Sequence, residues 1–224
     1  MADSDALAIA RDNMVDSQVR PNHVHDLRVT GAMRILPREA FAAAGPLVYA
    51  DADLPLGGGR YMLKPMVTAR LAQLALEANP AQEAHVVHVL VVGAGSGYLA
   101  ALLSLAGANV VALEEETRLT NAALAAYAPK VQAVTGPLGA GWPGGGPYDA
   151  IVIEGAVLEI PALLAAQLAP GGRIVTILAD DAAPGALGRA VLAEPVGNGY
   201  STVTVFDCAA RLLPQFTPAP AFSF

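Results

Sequence analysis

The sequence predicts an α/β fold: a mainly parallel, seven-stranded sheet with helices on both faces, finished by an antiparallel hairpin. Three observations carry this. The stretch "VLVVGAGSGY" at residues 89–98 reads as a buried strand, a tight glycine turn and a helix start. From there to about residue 179, strand patterns alternate with helical ones, which implies a parallel sheet. The segment "GRAVLAEPVGNGYSTVTVFD" then reads as two strands joined by "VGNGY", an antiparallel pair.

Taken in order, residues 3 to about 20 predict a helix, and "RVTGAMRILPREAF" a second, ending near Pro37. "LVYADADLPLGGGRYMLKP" is a loop punctuated by Gly and Pro. Pro65 suits the first turn of a helix whose apolar face is Val67, Leu71, Leu74 and Ala78, stopped by "ANPAQ". Residues 86–92 form the first core strand and 98–106 a helix with Leu99, Leu102, Leu103 and Ala106 at helical spacing. "NVVALEEE" is a strand ending in acids, and Thr117 a candidate N-cap for "TRLTNAALAAYA". "KVQAVTG" and "YDAIVIEGA" are strands. "IPALLAAQLAPGG" is read as a helix ended by Gly171, and "RIVTILA" as a strand. The whole forms one domain, 1–224, with an N-terminal helical segment (1–80) on the substrate side of an α/β core (81–224).

Composition narrows the function classes. With 224 residues, 54% hydrophobic and 15% charged, the chain has the makings of a large buried core. A formal charge of −7 without a dense Lys/Arg cluster argues against an electrostatic grip on nucleic acid. The single cysteine, Cys208, excludes an intramolecular disulfide and a cysteine-based zinc cage. The run from Val86 to Leu113 carries no permanent charge, but its glycines break it into strand, helix and strand rather than a span of ~20 residues. The N-terminus has early acids and only a short apolar run, unlike a secretory signal, so the cytoplasm is the expected location.

In an open α/β sheet the ligand lies at the carboxyl ends of the strands, where strand order reverses. Gly93, Gly95 and Gly97 allow backbone to approach a ligand that any Cβ would hold off. A dinucleotide turn of the form G-x-G-x-x-G needs glycine where this chain has Tyr98, so a nicotinamide cofactor is disfavoured. Glu114 ends the second core strand, placed to accept hydrogen bonds from ribose hydroxyls; Glu115 and Glu116 read as solvated. His23, His25 and Asp26 lack a further ligand and read as a surface group rather than a metal site. His85 and His88, three apart on a strand, face opposite sides. Trp142 reads as a loop anchor beneath the sheet, bordering the cofactor's base.

The chain resembles the protein-L-isoaspartate O-methyltransferases, a family with a Rossmann-like methyltransferase fold. The resemblance lies in Met14, Val15, Gln18, Asp26, Arg28, Val29, Ala32, Met33, Pro37, Arg38 and Phe41, in the loop "YADADLPLGGG", in the turn Gly93-x-Gly95-Ser96-Gly97-Tyr98, and in "GWP" followed by "YDAIVIEGA". It runs from about residue 14 to 180. It implies S-adenosylmethionine as cofactor and isoaspartyl carboxylates of damaged proteins as methyl acceptors, with no nucleic acid or membrane partner. It also places the cofactor against Gly93, Gly95, Ser96, Gly97, Tyr98, Glu114, Pro137 and Leu138. The active-site segment becomes Leu63 and Lys64; Arg60 or Lys64 is a cation able to orient a substrate carboxylate, the alternative being that both are exposed loop cations.

Three departures accompany the resemblance. Val91 stands where the family has an acid two residues before the first glycine. Leu63 and Lys64 replace a hydroxyl residue and a glutamine. Gly136-Pro137-Leu138 replaces Gly-Asp-Gly. Two of these remove cofactor contacts, each hydrogen bond to a charged group being worth ~1.5–3 kcal/mol, so affinity is expected to fall by about a hundredfold unless something replaces them. Glu154, closing the fourth core strand, is the candidate replacement, as a partner for the cofactor's ammonium group. Carboxyl methyl transfer needs no proton-transfer triad, because a carboxylate of reference pKa about 3.9 is already ionised at neutral pH; the sequence offers none. The expected function is therefore an S-adenosylmethionine-dependent carboxyl methyltransferase of the isoaspartate type. The alternatives are a non-catalytic binding or regulatory member of the family, and a methyltransferase for another acceptor.

Overall fold

The computed structural model describes every residue except 1, 43–44, 79–84, 120–121, 184–185 and 218–224. The N-terminal segment folds as α1 (Ala2–Met14), continued by π and 3-10 turns to Asn22, and then α2 (Leu27–Ile35). Asp26 caps α2: its carboxylate accepts the Arg28 N–H at 2.8 Å, satisfying one of the otherwise orphaned first-turn donors. A separate two-stranded hairpin follows, β1 (Leu54–Gly57) and β2 (Arg60–Met62), and then α3 (Pro65–Leu76), which opens on Pro65 as its sequence requires. Part of its "ANPAQ" stop lies outside the described residues.

The core sheet comprises β3 (His88–Val92), β4 (Asn109–Glu114), β5 (Gln132–Thr135), β6 (Tyr148–Val157), β7 (Leu168–Ala179), β8 (Leu187–Val196) and β9 (Gly199–Ala209). Its order is β5-β4-β3-β6-β7-β8-β9, parallel through β7 and antiparallel at the last two strands. Chain order reverses between β3 and β6, which makes the crevice above their carboxyl ends the switch point where ligands of this architecture bind. Helices α4 (Tyr98–Leu105) and α5 (Ala122–Tyr127) provide the crossovers beside β4.

One face of the sheet and the helices form a single apolar cluster, running from Met14 and Met33 through Leu71 and Leu99 to Val152 and Ile177. The other face is covered differently. The helix expected in "IPALLAAQLAPGG" is a six-residue 3-10 segment, Ala162–Gln167, and the chain passes directly into β7 at Leu168. Only Leu164 and Gln167 of the segment are buried, while Leu163 stands 66% exposed. Gln167 anchors the segment instead, donating to the Ala140 carbonyl at 2.8 Å and accepting from the Trp142 N–H at 2.8 Å. Trp142, Tyr148, Leu138, Leu213 and Phe216 complete this second cluster.

Candidate functional site

The glycine turn has the predicted form. Gly93, Gly95 and Gly97 take φ values of 74°, 54° and 86°, a region closed to most side chains. The Gly93 and Ala94 amides donate to the Leu113 carbonyl at 2.9 and 3.1 Å, tying the turn to the end of β4. Gly97 then caps α4, and a Cβ on it would lie 3.0 Å from Leu124 Cδ2, so any other residue would have to push the Leu124 side chain aside.

Glu114, 6% exposed, reaches from the end of β4 into this turn. Its Oε2 accepts the Gly95 amide at 2.7 Å, and its Oε1 accepts the amides of Glu115 and Glu116 at 2.8 and 3.0 Å. The remaining positions are taken by Arg60, whose Nη1 and Nη2 donate to Oε1 and Oε2 at 2.8 Å each. Arg60 Nη2 also donates to the Gly93 carbonyl at 3.0 Å. Burial raises the Glu114 pKa, but the Arg60 hydrogen bonds, with those from the backbone, outweigh it and hold the carboxyl below its ordinary value.

Arg60 therefore does not present a cation to a substrate carboxylate. It is 2% exposed and sits beneath the β1–β2 hairpin, turned inward with Met62 because alternate strand residues share a face. The sequence signal was that alternation, an arginine two residues from an inward methionine, set against the apolar surroundings of Glu114. Other groups crowd the same place. A Cβ at Gly93 would lie 3.2 Å from Arg60 Nη2, 3.3 Å from Leu213 and 3.5 Å from Leu138; one at Gly95 would lie 3.2 Å from Leu56. Leu213 belongs to a C-terminal segment bonded across the end of β6: Ala156 N–H donates to Arg211 O, and Leu213 N–H to Ala156 O, both at 3.0 Å. Gln215 Nε2 reaches Glu116 Oε1 at 3.3 Å.

The remaining expected residues divide between this site and elsewhere. Ser96 is buried in the turn, its Oγ 3.8 Å from Met62 Sδ. Leu138 lies in the site, but Pro137 is exposed beside it. Tyr98 turns the other way: its ring packs edge-on against Phe41 at 5.5 Å, with Arg38 Cζ 4.8 Å from its centroid, inside the helical layer. Leu63 is 2% exposed, and its carbonyl accepts from Arg38 Nη2 at 3.0 Å and from Thr68 Oγ1 at 3.1 Å. Lys64 is half-buried, its amide bonded to Asp53 Oδ1 at 2.9 Å. Glu154 is 5% exposed with Oε2 lacking any hydrogen-bond partner; burial pushes its pKa well up, against the attraction of Arg60 and Arg38 and with the repulsion of Glu114.

His85 precedes β3, which begins at His88, so the two histidines do not share a strand as expected. Asp149 accepts from the His88 amide at 2.8 Å and contacts His85 Nε2 at 2.7 Å, joining both histidine-bearing residues at the lower end of β6. Asp26 is committed to Arg28. Among the described residues no three His, Cys, Asp or Glu side chains stand together as a metal site, and no helix is long and apolar enough to cross a membrane.

A mainly parallel sheet ending in an antiparallel hairpin, with a glycine turn at the switch point and an acid at the end of the neighbouring strand, defines a Rossmann-like methyltransferase fold. The profile of the protein-L-isoaspartate(D-aspartate) O-methyltransferase family matches residues 10–183, and the chain belongs to that family. It is 41% identical over 174 residues to a protein-L-isoaspartate O-methyltransferase of Methylorubrum extorquens, covering 75% of this chain and 73% of that one. It is 38% identical over 179 residues to protein-L-isoaspartate O-methyltransferase 1 of Rhodopseudomonas palustris, covering 77% and 71%. In fold it is similar to the crystal structure of a candidate protein-L-isoaspartate O-methyltransferase from Plasmodium falciparum in complex with S-adenosyl-L-homocysteine, with a TM-score of 0.74, 17% identity, and coverage of 92% of this chain and 98% of that one.

S-adenosylmethionine is the methyl donor, and in this structure Arg60 closes its expected place on Glu114. Both oxygens of Glu114 are fully engaged. The open space left between Gly95, Ser96, Gly97, Glu114, Leu124 and Thr135 is a cavity of about 120 Å³. Sites that enclose drug-sized ligands are larger, ~300 Å³ and upwards.

Proposed function

We propose that the protein is an S-adenosylmethionine-dependent carboxyl O-methyltransferase acting on isoaspartyl residues of damaged proteins or peptides. Membership of the family over residues 10–183 supports it. The structural observation that carries it is the turn itself: three glycines with positive φ, at the switch point, with the Glu114 carboxylate drawn into them by the Gly95 amide.

Calorimetric titration with S-adenosylhomocysteine, followed by methylation of an isoaspartyl peptide, tests this reading. Saturable binding and methyl transfer to the isoaspartyl peptide but not to its aspartyl counterpart are expected. Binding without transfer to either peptide redirects the assignment to another acceptor.

A second reading has its own support. Arg60 occupies Glu114 in the place where a ribose would bind, as in a family member that keeps the fold without turnover. Absence of binding, in protein shown to be folded and free of ligand, decides for that reading.

A further inference from the structure

We propose that Arg60 is an internal competitor for the cofactor: its guanidinium closes the site on Glu114, and a cofactor binds only by displacing it. The inference rests on the methyltransferase reading above and adds to it a regulation of the same site.

The geometry makes the two occupants mutually exclusive. An ionised carboxylate offers about four lone-pair positions. At Glu114 the amides of Gly95, Glu115 and Glu116 take three donors' worth, and the Arg60 fork supplies two more. A vicinal diol also delivers two parallel donors to one carboxylate, so it seeks the positions that the fork already holds. Arg60 Nη2 is bonded in addition to the Gly93 carbonyl, the point where the turn begins and where a Cβ would lie only 3.2 Å from that nitrogen.

The same structure shows why the closed arrangement is able to open. Arg60 is carried by the two-stranded hairpin β1–β2, which has no pairing with the seven-stranded sheet. With no ladder to that sheet, the hairpin is held by side chains: Leu54 and Met62 in the main apolar cluster, and Arg60 on Glu114. The turn joining these strands is Gly57-Gly58-Gly59, all at positive φ, and Gly59 abuts Pro214 of the C-terminal segment. That segment holds Leu213 against Gly93 and Gly155. Withdrawal of the hairpin carries Arg60 away from Glu114 and loosens Leu213. Near Arg60 lies Glu154, whose buried Oε2 has no hydrogen-bond partner.

The apparent affinity of a protein that must first open falls by the fraction open. Titrations of S-adenosylhomocysteine into the parent and Arg60→Gln are therefore expected to differ, the variant binding at least tenfold tighter. Should Arg60→Gln fail to fold, Arg60→Lys, which keeps the charge without the fork, carries the same comparison with a smaller gain. In the parent, hydrogen exchange at residues 54–62 and 211–216 is expected to speed up on adding the ligand. Variant and parent binding equally tightly, or a hairpin better protected in the complex, overturns the competitor while leaving the methyltransferase reading intact. Folded parent and variant that both fail to bind overturn the two together, because removing the plug then exposes no site.

Discussion

Arg38 Nη2 donates to the Leu63 carbonyl at 3.0 Å while its Nε donates to Val48 O at 3.0 Å, so one fully buried cation from the N-terminal segment holds two loops at once. The Leu63 carbonyl lies in the segment that the family resemblance places beside the substrate. The guanidinium lies against Tyr98, and burial pulls its pKa down from the ordinary value.

Lysine cannot imitate that fork, since its ammonium is a point donor at the end of a flexible stem. Arg38→Lys is expected to lower stability by about 2–3 kcal/mol, the scale of hydrogen bonds to charged groups. Urea unfolding at constant pH measures it. A loss within 0.5 kcal/mol shows that the two carbonyls are held by something else.

The Arg60–Glu114 pair predicts strong non-additivity. Removing one partner of a buried ion pair costs about 3–5 kcal/mol, because the other charge stays buried and unpaired. Glu114 keeps three backbone donors when Arg60 is replaced, so Arg60→Gln should fall at the lower end of that range. Glu114→Gln combined with it should recover part of the loss. A double-mutant cycle reading a coupling above about 1 kcal/mol is expected; simple additivity contradicts the bidentate geometry.

Glu154 predicts a pH dependence of opposite sign to Glu114. The native pKa of Glu154 is raised, so the folded protein holds its proton more firmly than the unfolded chain. Its contribution is therefore most favourable at low pH and is lost as pH climbs from the ordinary value of 4.5 through the raised one. Glu114 is depressed, so its contribution is present above 4.5 and is lost on acidification. Glu154→Gln should flatten the decline in unfolding free energy as the pH rises above 4.5, and denaturation series at acid and neutral pH read it. An unchanged slope places no titrating proton on Glu154.

Gly97→Ala tests the turn. A methyl there meets Leu124 at 3.0 Å and forces alanine to φ near 86°. Such strain is worth about 1–3 kcal/mol, and thermal unfolding should show a corresponding fall in Tm. Gly107→Ala is the control: φ is 100° but nothing lies within 4 Å of the added Cβ, so its loss is expected to be the smaller.

The sheet was legible because its signals are local. Val89 to Val92 are apolar on both faces, the three glycines follow at once, and the "VGNGY" turn joins β8 to β9 as read. The same habit misled at 161–171, where a Pro start, leucines and a Gly stop make a helix signal. The short segment is instead fastened by Gln167 to carbonyl and amide groups 27 and 25 residues away. Tyr98 shows a finer limit: its place next to the turn was legible, but the direction of its ring depended on α4 burying it against Phe41 and Arg38.

What the sequence determined by itself was the order of strands and helices, the glycine turn and its neighbouring acid, and the family to which they belong. Each rests on spacing over a few residues, where backbone stereochemistry and the alternation of side chains leave little choice. Only the tertiary structure decided what Glu114 holds. Its partner lies 54 residues away on a hairpin outside the sheet, and no periodicity links the two. A buried carboxylate must be satisfied by whatever donor the fold carries to it, and in this fold that donor is Arg60.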